Sequence, residues 1–462
     1  MSAWHHVAVV LGFALGVLLP LRLVQQRQRP SVTFAWLVAI ALLPYVGVPL
    51  YFLFSSRKLR RGLRDKRAPL AGLEARRQAQ GDSSVALDPL ERLLEVEGSA
   101  PRRAGNAAEL LPDGTSAYEA VCEVIRGAER SIEVCMFILA DDEVGRALVD
   151  ALVERARAGV AVSVLVDALG CFRTRGRFLD PLRAAGGRVA VFLPVAPLHR
   201  RWSANLRNHR KLLIADGAVA WTGGMNFGGE YMGPTASTSR WVDLSFLLRG
   251  PIVADLASAF AADWAFASPR PLSSSGAATE PQGQDTLQLI ASGPDVPGDP
   301  LADALLSLVH HAQRRVWIVT PYFVPDEPLQ RALKIQARAG VDVLVVAPER
   351  SNHRLADVVR ARSFEELVEA GARVLLLPER MLHAKLSLFD DTSALFGSAN
   401  VDLRSLYLNF ELSVHITAGP TLEALDAWAT ALAQRCRAHA PERVGFARRS
   451  LADVASLLAP LL

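Results

Sequence analysis

The sequence predicts an α/β fold in which two pseudo-symmetric αβ domains pack together, preceded by an N-terminal transmembrane helical hairpin. Three observations predict it. A long motif occurs twice at a constant displacement, strands alternate with helices in the same order around both copies, and two long apolar runs open the chain. A repeat of this kind is read first, because each copy is a folding unit that needs a neighbour to cover it.

Composition sets the frame. The chain has 462 residues, half of them hydrophobic, and a formal net charge of +4; its mean hydropathy is positive. That is high for a soluble protein and points to membrane segments. So small a net charge excludes nucleic-acid binding by bulk charge, and no nucleic-acid partner is expected. Cys122, Cys135, Cys171 and Cys436 show no C-x-x-C spacing. Cys122 and Cys135 fall in apolar patterns and read as core residues in a reducing compartment.

The anchor is read over residues 1–67. Ser31 to Phe54 runs 24 residues without a charge, enough to span a bilayer. Val7 to Leu21 is shorter, at 15 residues, but Trp4 can sit at the interface and Arg22 can snorkel, so a second span fits. A cleaved signal peptide is disfavoured, because the N-terminal flank has no Lys or Arg and a full span follows at once. The connection between the runs carries Arg22, Arg27 and Arg29, whereas seven basic residues lie between Arg57 and Arg67. That excess puts the downstream body in the cytoplasm, with its basic collar against anionic headgroups.

Residues 68–104, rich in Ala, Arg, Glu and Gly, read as a linker with some helix near Pro89 to Val96. The first globular half is read over 105–270. It holds a helix at Tyr118 to Ala128, a strand at Ser131 to Leu139, a periodic helix at Asp142 to Ala158 and an apolar strand at Val160 to Val166. Ser268 to Gln284 collects Pro, Ser and Gly, so 271–286 reads as a surface linker. The second half, 287–449, repeats the order with a helix at Leu301 to Ala312, a strand at Val316 to Thr320, a helix near Leu329 to Ala339 and a strand at Val341 to Val346. Such alternation argues for a largely central sheet. The tail, 450–462, places Leu451, Val454, Leu457, Leu458 and Leu461 on one helical face, and Pro460 keeps it short. That face suits a membrane interface or the catalytic core equally well.

The repeated motif carries the chemistry. His209, Lys211, Asp216, Gly223, Gly224 and Asn226 in the first copy match His383, Lys385, Asp390, Gly397, Ser398 and Asn400 in the second. Both read H-x-K-x4-D-x6-G-[GS]-x-N, displaced by 174 positions throughout (383−209, 400−226). One such short motif is weak; two with the same tail are a strong signal. Residues two apart on a strand share a face, so each His and its Lys project together. Asp216 and Asp390 have the opposite parity and fall at a two-residue hairpin turn, so within this catalytic motif they read as structural anchors. The Gly pair with Asn226, and its counterpart with Asn400, can bring backbone N–H groups and an amide to an anion beside Lys211 and Lys385. Two imidazoles, two ammoniums and two amides suit a phosphodiester: one His attacks phosphorus and the other protonates the departing oxygen. The repeat is symmetric and does not say which His does which.

These residues resemble the paired HKD motifs of the phospholipase D superfamily, and the rest of the chain is similar to one branch of it, the bacterial cardiolipin synthases. Pro44 to Tyr51, Leu110 to Gly114, Ser292 to Asp295, Thr320 to Asp326, Asn400 to Ser405, Asn409 to Glu411 and Leu457 to Leu462 carry that similarity. The chain departs from the family at Val242, usually Arg, and at Asn352, usually Asp. The resemblance implies two phospholipase D-like domains, a multi-pass anchor in the bacterial inner membrane, no metal or other cofactor, and phosphatidylglycerol and other anionic phospholipids as partners. It implies that a His attacks phosphatidylglycerol, that glycerol leaves, and that a second phosphatidylglycerol takes the phosphatidyl group to give cardiolipin. It implies His209 as nucleophile and His383 as acid and then base. Asp243 and Glu411 lie 34 and 28 residues past the two histidines, each within a strand-like run, Val242 to Leu248 and Phe410 to His415; the resemblance implies them as the carboxylates that orient the histidines. No His, Cys, Asp or Glu cluster has metal-ligand spacing, and the two lysines supply the charge a metal would bring. A hydrolytic membrane phospholipase D would share every catalytic residue and stands as the alternative. A nuclease of the superfamily is commonly a single half, and an inactive lipid-binding module would lack motif residues.

Overall fold

The computed structural model describes residues 88–194, 206–272 and 280–440, with Leu37, Val38, Ile40 and Tyr45 of the N-terminal segment. Apart from those four helical positions, the hairpin expected over 1–67, the start of the linker and the tail expected over 450–462 lie outside the described residues. Among the described residues no helix is long and apolar enough to cross a membrane.

The first half contributes β1 (Arg103–Leu111), β2 (Ser131–Met136), β3 (Ala161–Asp167), β4 (Arg188–Phe192), β5 (Leu212–Ala215), β6 (Val219–Gly223) and β7 (Ser245–Arg249). The second contributes β8 (Asp285–Ser292), β9 (Arg315–Val319), β10 (Phe323–Val324), β11 (Asp342–Pro348), β12 (Arg373–Leu377), β13 (Leu386–Phe389), β14 (Ser393–Gly397), β15 (Val401–Asp402), β16 (Glu411–Ala418) and β17 (Arg437–Ala438). One sheet runs β17-β12-β11-β9-β13-β14-β16-β8-β1-β7-β6-β5-β2-β3-β4. Outward from its centre the two halves repeat each other, β1-β7-β6-β5-β2-β3-β4 on one side and β8-β16-β14-β13-β9-β11-β12 on the other. β1 and β8 pair antiparallel and join them.

The helices are α1 (Pro89–Val96), α2 (Gly114–Gly127), α3 (Glu143–Arg157), α4 (Asp180–Ala184), α5 (Ile252–Ala267), α6 (Pro300–His311), α7 (Glu327–Arg338), α8 (Arg354–Glu369), α9 (Leu403–Tyr407) and α10 (Pro420–Gln434). The start of α3 at Asp142 is as read from the sequence; α2 and α7 begin earlier than the expected Tyr118 and Leu329, because Asp113 and Asp326 cap them. Asp113, Asp142 and Asp326 each accept a backbone N–H in the first turn of α2, α3 and α7, a cap worth about 1 kcal/mol. The parallel strands β2, β3 and β11 are buried along nearly their whole length, as continuous apolar runs covered on both faces require. Ile132, Val134, Val164 and Leu213 centre one core, and Val316, Ile318, Val345 and Phe389 the other.

Several boundaries differ from the sequence reading. Leu94 of α1 is fully buried in the core of the second half, so the end of the expected linker belongs to the body. β7 begins at Ser245, not at Val242, because the segment before it is drawn off to pair with the second half. His209 and Lys211 likewise precede β5. The hairpin turns hold three residues, since Ala215 pairs with Val219 and Phe389 with Ser393.

Asp216 and Asp390 sit in those turns with φ of 55° and 51°, a left-handed conformation that Asp tolerates. The Asp216 carboxylate accepts the backbone N–H groups of Glu129, Arg130 and Ser131 at 2.7–2.9 Å, and so fixes the start of β2. Asp390 does the same for Gln313, Arg314 and Arg315 at the start of β9. Partial burial raises the Asp216 pKa, but those three N–H donors outweigh it and hold the carboxyl below its ordinary range. Asp216→Asn keeps one acceptor oxygen and turns an amide against the donors. It should cost about 1–3 kcal/mol in urea unfolding. A variant of wild-type stability that has lost all turnover would contradict the anchor reading.

Candidate active site

The two motif histidines are held across the boundary between the halves. Leu382 bridges Val242 in parallel, and the N–H of His383 donates to Val242 O at 2.7 Å. Asn208 bridges Phe410 in the same way, with the N–H of His209 donating to Phe410 O at 2.9 Å. Each histidine segment is therefore laid against the carboxylate segment of the other half. The side chains follow. His209 Nδ1 lies 3.0 Å from both carboxylate oxygens of Glu411, and His383 Nδ1 lies 2.6 Å from Asp243 Oδ2. Spacing along the chain would pair each His with the carboxylate that follows it; the fold exchanges them.

Both imidazoles are buried, His209 to 9% and His383 to 4% exposure. A carboxylate at Nδ1 fixes the tautomer and leaves Nε2 as the reactive nitrogen. Burial pushes His209 down to about 4, opposed by Glu411 and aided by the two lysines. Burial and Lys385 push His383 down to about 3 against Asp243. Burial raises both carboxyls, but their neighbours outweigh it. Lys385 and the hydrogen bond from His383 hold Asp243 below the ordinary range, and the hydrogen bond from His209 and the charge of Lys211 do so for Glu411. The resting pairs are thus neutral imidazole and carboxylate.

Lys211 donates to His209 O at 2.6 Å, and Lys385 donates to His383 O with Nζ 3.0 Å from His383 Nε2. Burial lowers Lys211 to about 7 and Lys385 to about 8. Aromatic edges wall the two rings: Phe137 lies 4.8 Å from His209, and Tyr231 and Trp241 each lie 5.2 Å from His383.

The motif tails do other work than the sequence suggested. The N–H groups of Gly224 and Ser398 donate to Leu244 O and Leu412 O, so neither is free for an anion. A side chain at 224 would meet Asp243 Oδ1 at 2.3 Å, which is why glycine stands there. At the matching position Ser398 Oγ donates to Glu411 Oε2 at 2.5 Å. Asn226 Oδ1 accepts the N–H of Ile138 at 3.1 Å, whereas Asn400 Oδ1 is buried without a partner.

Sequence reasoning passed over a buried clamp beside His209. Arg210 pairs through Nη1 with Asp263 Oδ1 of α5 at 2.8 Å, and donates through Nε to Glu411 O and through Nη2 to Ser292 O. Asn208 Nδ2 donates to Asp263 Oδ2 at 3.0 Å. The second copy has Ala384 where Arg210 stands, and that break in the repeat was the available signal. At the departures from the family pattern, Val242 contributes backbone pairing and Asn352 accepts the Tyr322 hydroxyl at 2.5 Å.

The exchange has a spectroscopic consequence. In protein labelled at its histidines, Glu411→Gln should move the ring nitrogen signals of His209 and leave those of His383 in place. Asp243→Asn should do the reverse. A response at the histidine of the same half would contradict the exchanged pairing.

Residues 121–264 and 305–432 match the family described as cardiolipin synthase, PLD-like domain. Residues 12–55 match the family described as phospholipase D-nuclease N-terminal. A cardiolipin synthase of Geobacillus kaustophilus is 32% identical over 404 residues, covering 85% of this chain and 80% of its own length. A cardiolipin synthase A of Pseudomonas entomophila is 33% identical over 414 residues, covering 87% and 86%. The crystal structure of a phosphatidylserine synthase from Haemophilus influenzae shares the fold, with a TM-score of 0.63 at 15% identity, over 81% of this chain and all of that one. With two copies of the family domain, a duplicated sheet and relatives matched over most of their length, the chain belongs to the cardiolipin synthase branch of the phospholipase D-like proteins.

Proposed function

We propose that the chain is a cardiolipin synthase that moves a phosphatidyl group from one phosphatidylglycerol to another through a phosphohistidine. The observation that carries the reading is the pair of buried imidazoles, each held at Nδ1 by a carboxylate of the other half. Lys211, Lys385, Asn226 and Asn400 supply the positive and amide groups for the phosphate. His209 Nε2 attacks phosphorus while His383 protonates the departing glycerol oxygen; His383 then takes the proton of the incoming hydroxyl. Both imidazoles are neutral at pH 7, which leaves the nucleophile ready. A bound phosphodiester anion favours the charged form of its neighbours, which moves His383 towards the protonated form an acid needs. Asp216 and Asp390 complete the motif from the far ends of their strands.

We place the anchor over residues 1–67 as two membrane-spanning helices. The uncharged run Ser31 to Phe54, the basic residues that follow it and the family match over 12–55 support this. The catalytic body then lies on the cytoplasmic side of the bacterial inner membrane, next to its lipid substrate, with the tail over 450–462 against the membrane or the core. The first half runs over 105–270 and the second over 287–449.

His209→Ala and His383→Ala should each abolish cardiolipin formation, and expression of neither should restore cardiolipin to a bacterium that lacks it. In His383→Ala, a phosphatidyl adduct should accumulate on His209 and be recovered by peptide mass spectrometry after acid-free quenching. Adduct on His383 in a His209→Ala enzyme, with none on His209, would reverse the assignment.

A further inference from the structure

The His383–Asp243 pair stands beside a cavity bordered by arginines. The cavity, of about 270 Å³, lies between the turn before α2, the segment from Ala236 to Asp243, Arg380, the face of α10 that carries Trp428, and Arg435 just past the end of that helix. Three guanidinium groups border it, from Arg240, Arg380 and Arg435. Arg240 is 9% exposed; its Nη1 donates to Thr235 O at 2.7 Å, and its Nε is buried with no hydrogen-bond partner. Arg380 donates to Arg240 O through Nε at 3.2 Å and Nη2 at 2.6 Å. Burial, Arg435 and Arg240 together hold the Arg380 pKa below its ordinary value. The bordering carboxylates are already engaged, Asp113 by the N–H groups of Thr115 and Ser116 and Asp243 by His383.

The place of this cavity follows from the exchanged segments. Arg240 stands three residues before Asp243, and Arg380 three before His383, on the two stretches that bridge at Val242 and Leu382. Three residues of extended chain cover roughly 10 Å, so the cationic cavity lies one headgroup away from the reacting centre. Trp241 borders the cavity, and its ring lies 5.2 Å from that of His383. Around His209 the matching positions are leucines, Leu206 (380−174) and Leu408 (240+168, where 168 is 411−243). The arginines on that side, Arg207 and Arg404, face Asp167 and Asp402.

We propose that this cavity binds the phosphodiester of the acceptor lipid and so makes His383 the base that serves the acceptor. The inference rests on the transfer reading above. An acceptor phosphatidylglycerol carries one phosphate anion, with its reactive hydroxyl at the far end of a glycerol. With that phosphate among the arginines, the hydroxyl faces the phosphorus held on His209. The new O–P bond forms, the bond from phosphorus to His209 Nε2 breaks and returns its electron pair to the ring, and the hydroxyl proton passes to His383 Nε2. Water carries no anion for the arginines to hold, so the cavity concentrates a lipid acceptor beside the reacting centre and does not concentrate water. The arginines therefore favour a lipid over water as acceptor, and this separates a synthase from a hydrolase that uses the same histidines.

The test reads the partition between acceptors. Full-length protein in mixed micelles of phosphatidylglycerol with labelled glycerol is assayed for glycerol released, cardiolipin formed and phosphatidate formed. The ratio of cardiolipin to phosphatidate should fall at least tenfold in Arg380→Gln/Arg435→Gln. It should fall less in Arg435→Gln, at the exposed end of α10, and recover in Arg435→Lys. Inorganic phosphate should lower the ratio in the wild type and leave the double variant unmoved. If inorganic phosphate raises the melting temperature of the wild type alone while the ratios of wild type and variant agree without it, the cavity takes a free anion and the acceptor role is wrong. A wild type that makes cardiolipin, with variants that match its ratio, overturns the inference and leaves the transfer reading standing. A wild type that releases glycerol and yields only phosphatidate overturns both.

Discussion

The structure depends on one exchange, in which each half supplies the carboxylate that holds the other half's histidine. The parallel bridges at Asn208–Phe410 and Val242–Leu382 set the two segments in register, and the Nδ1 contacts follow from that register. A buried imidazole next to a buried ammonium is unfavourable on its own, because both lose hydration and repel when charged. Glu411 and Asp243 offset that cost only when the halves are docked. A single half therefore contains neither a complete site nor a stable setting for its own histidine. The joining strands β1 and β8, the clamp of Arg210 on Asp263 and Ser292, and the contact of Phe246 with Phe396 across the boundary all serve this docking.

Much of the fold was legible because its signals are local. The helix start at Asp142 and the buried runs of β3 and β11 depend on neighbours along the chain, and periodicity and capping read neighbours well. The duplication was legible because identical residues recur at a fixed displacement. What the sequence concealed is what passes between the halves. Val242 and Asp243 looked like the start of a strand, since nothing nearby says that another segment will claim their hydrogen bonds. The Gly-Gly and Gly-Ser steps looked like anion cradles, whereas Gly224 makes room for Asp243 and Ser398 reaches Glu411. The hairpin turns were one residue longer than the Asp-Gly pair suggested. The expected transmembrane hairpin rests on hydropathy and charge, and all but four of its positions lie outside the described residues.

Where the repeat breaks, the two sides of the site acquire different chemistry. Arg210 against Ala384, Gly224 against Ser398, Asp243 against Glu411, and Arg240 and Arg380 against Leu408 and Leu206 all distinguish the His209 side from the His383 side. His209 is clamped from behind by a neutralised Arg–Asp pair. His383 stands beside Lys385 and the cationic cavity. A reaction in which one histidine holds phosphorus and the other handles protons needs such a difference, although the repeated motif itself is symmetric.

The central claim is that one composite site performs two successive displacements at the same phosphorus atom. Each in-line displacement inverts phosphorus, so two of them restore it. The most direct measurement uses a phosphatidylglycerol whose phosphodiester is chiral at phosphorus through oxygen isotopes and sulfur, with the configuration of the cardiolipin product read by phosphorus NMR. Net retention is the result the account predicts. Net inversion would mean that the acceptor hydroxyl attacks the donor lipid directly, without the phosphohistidine, and would contradict it.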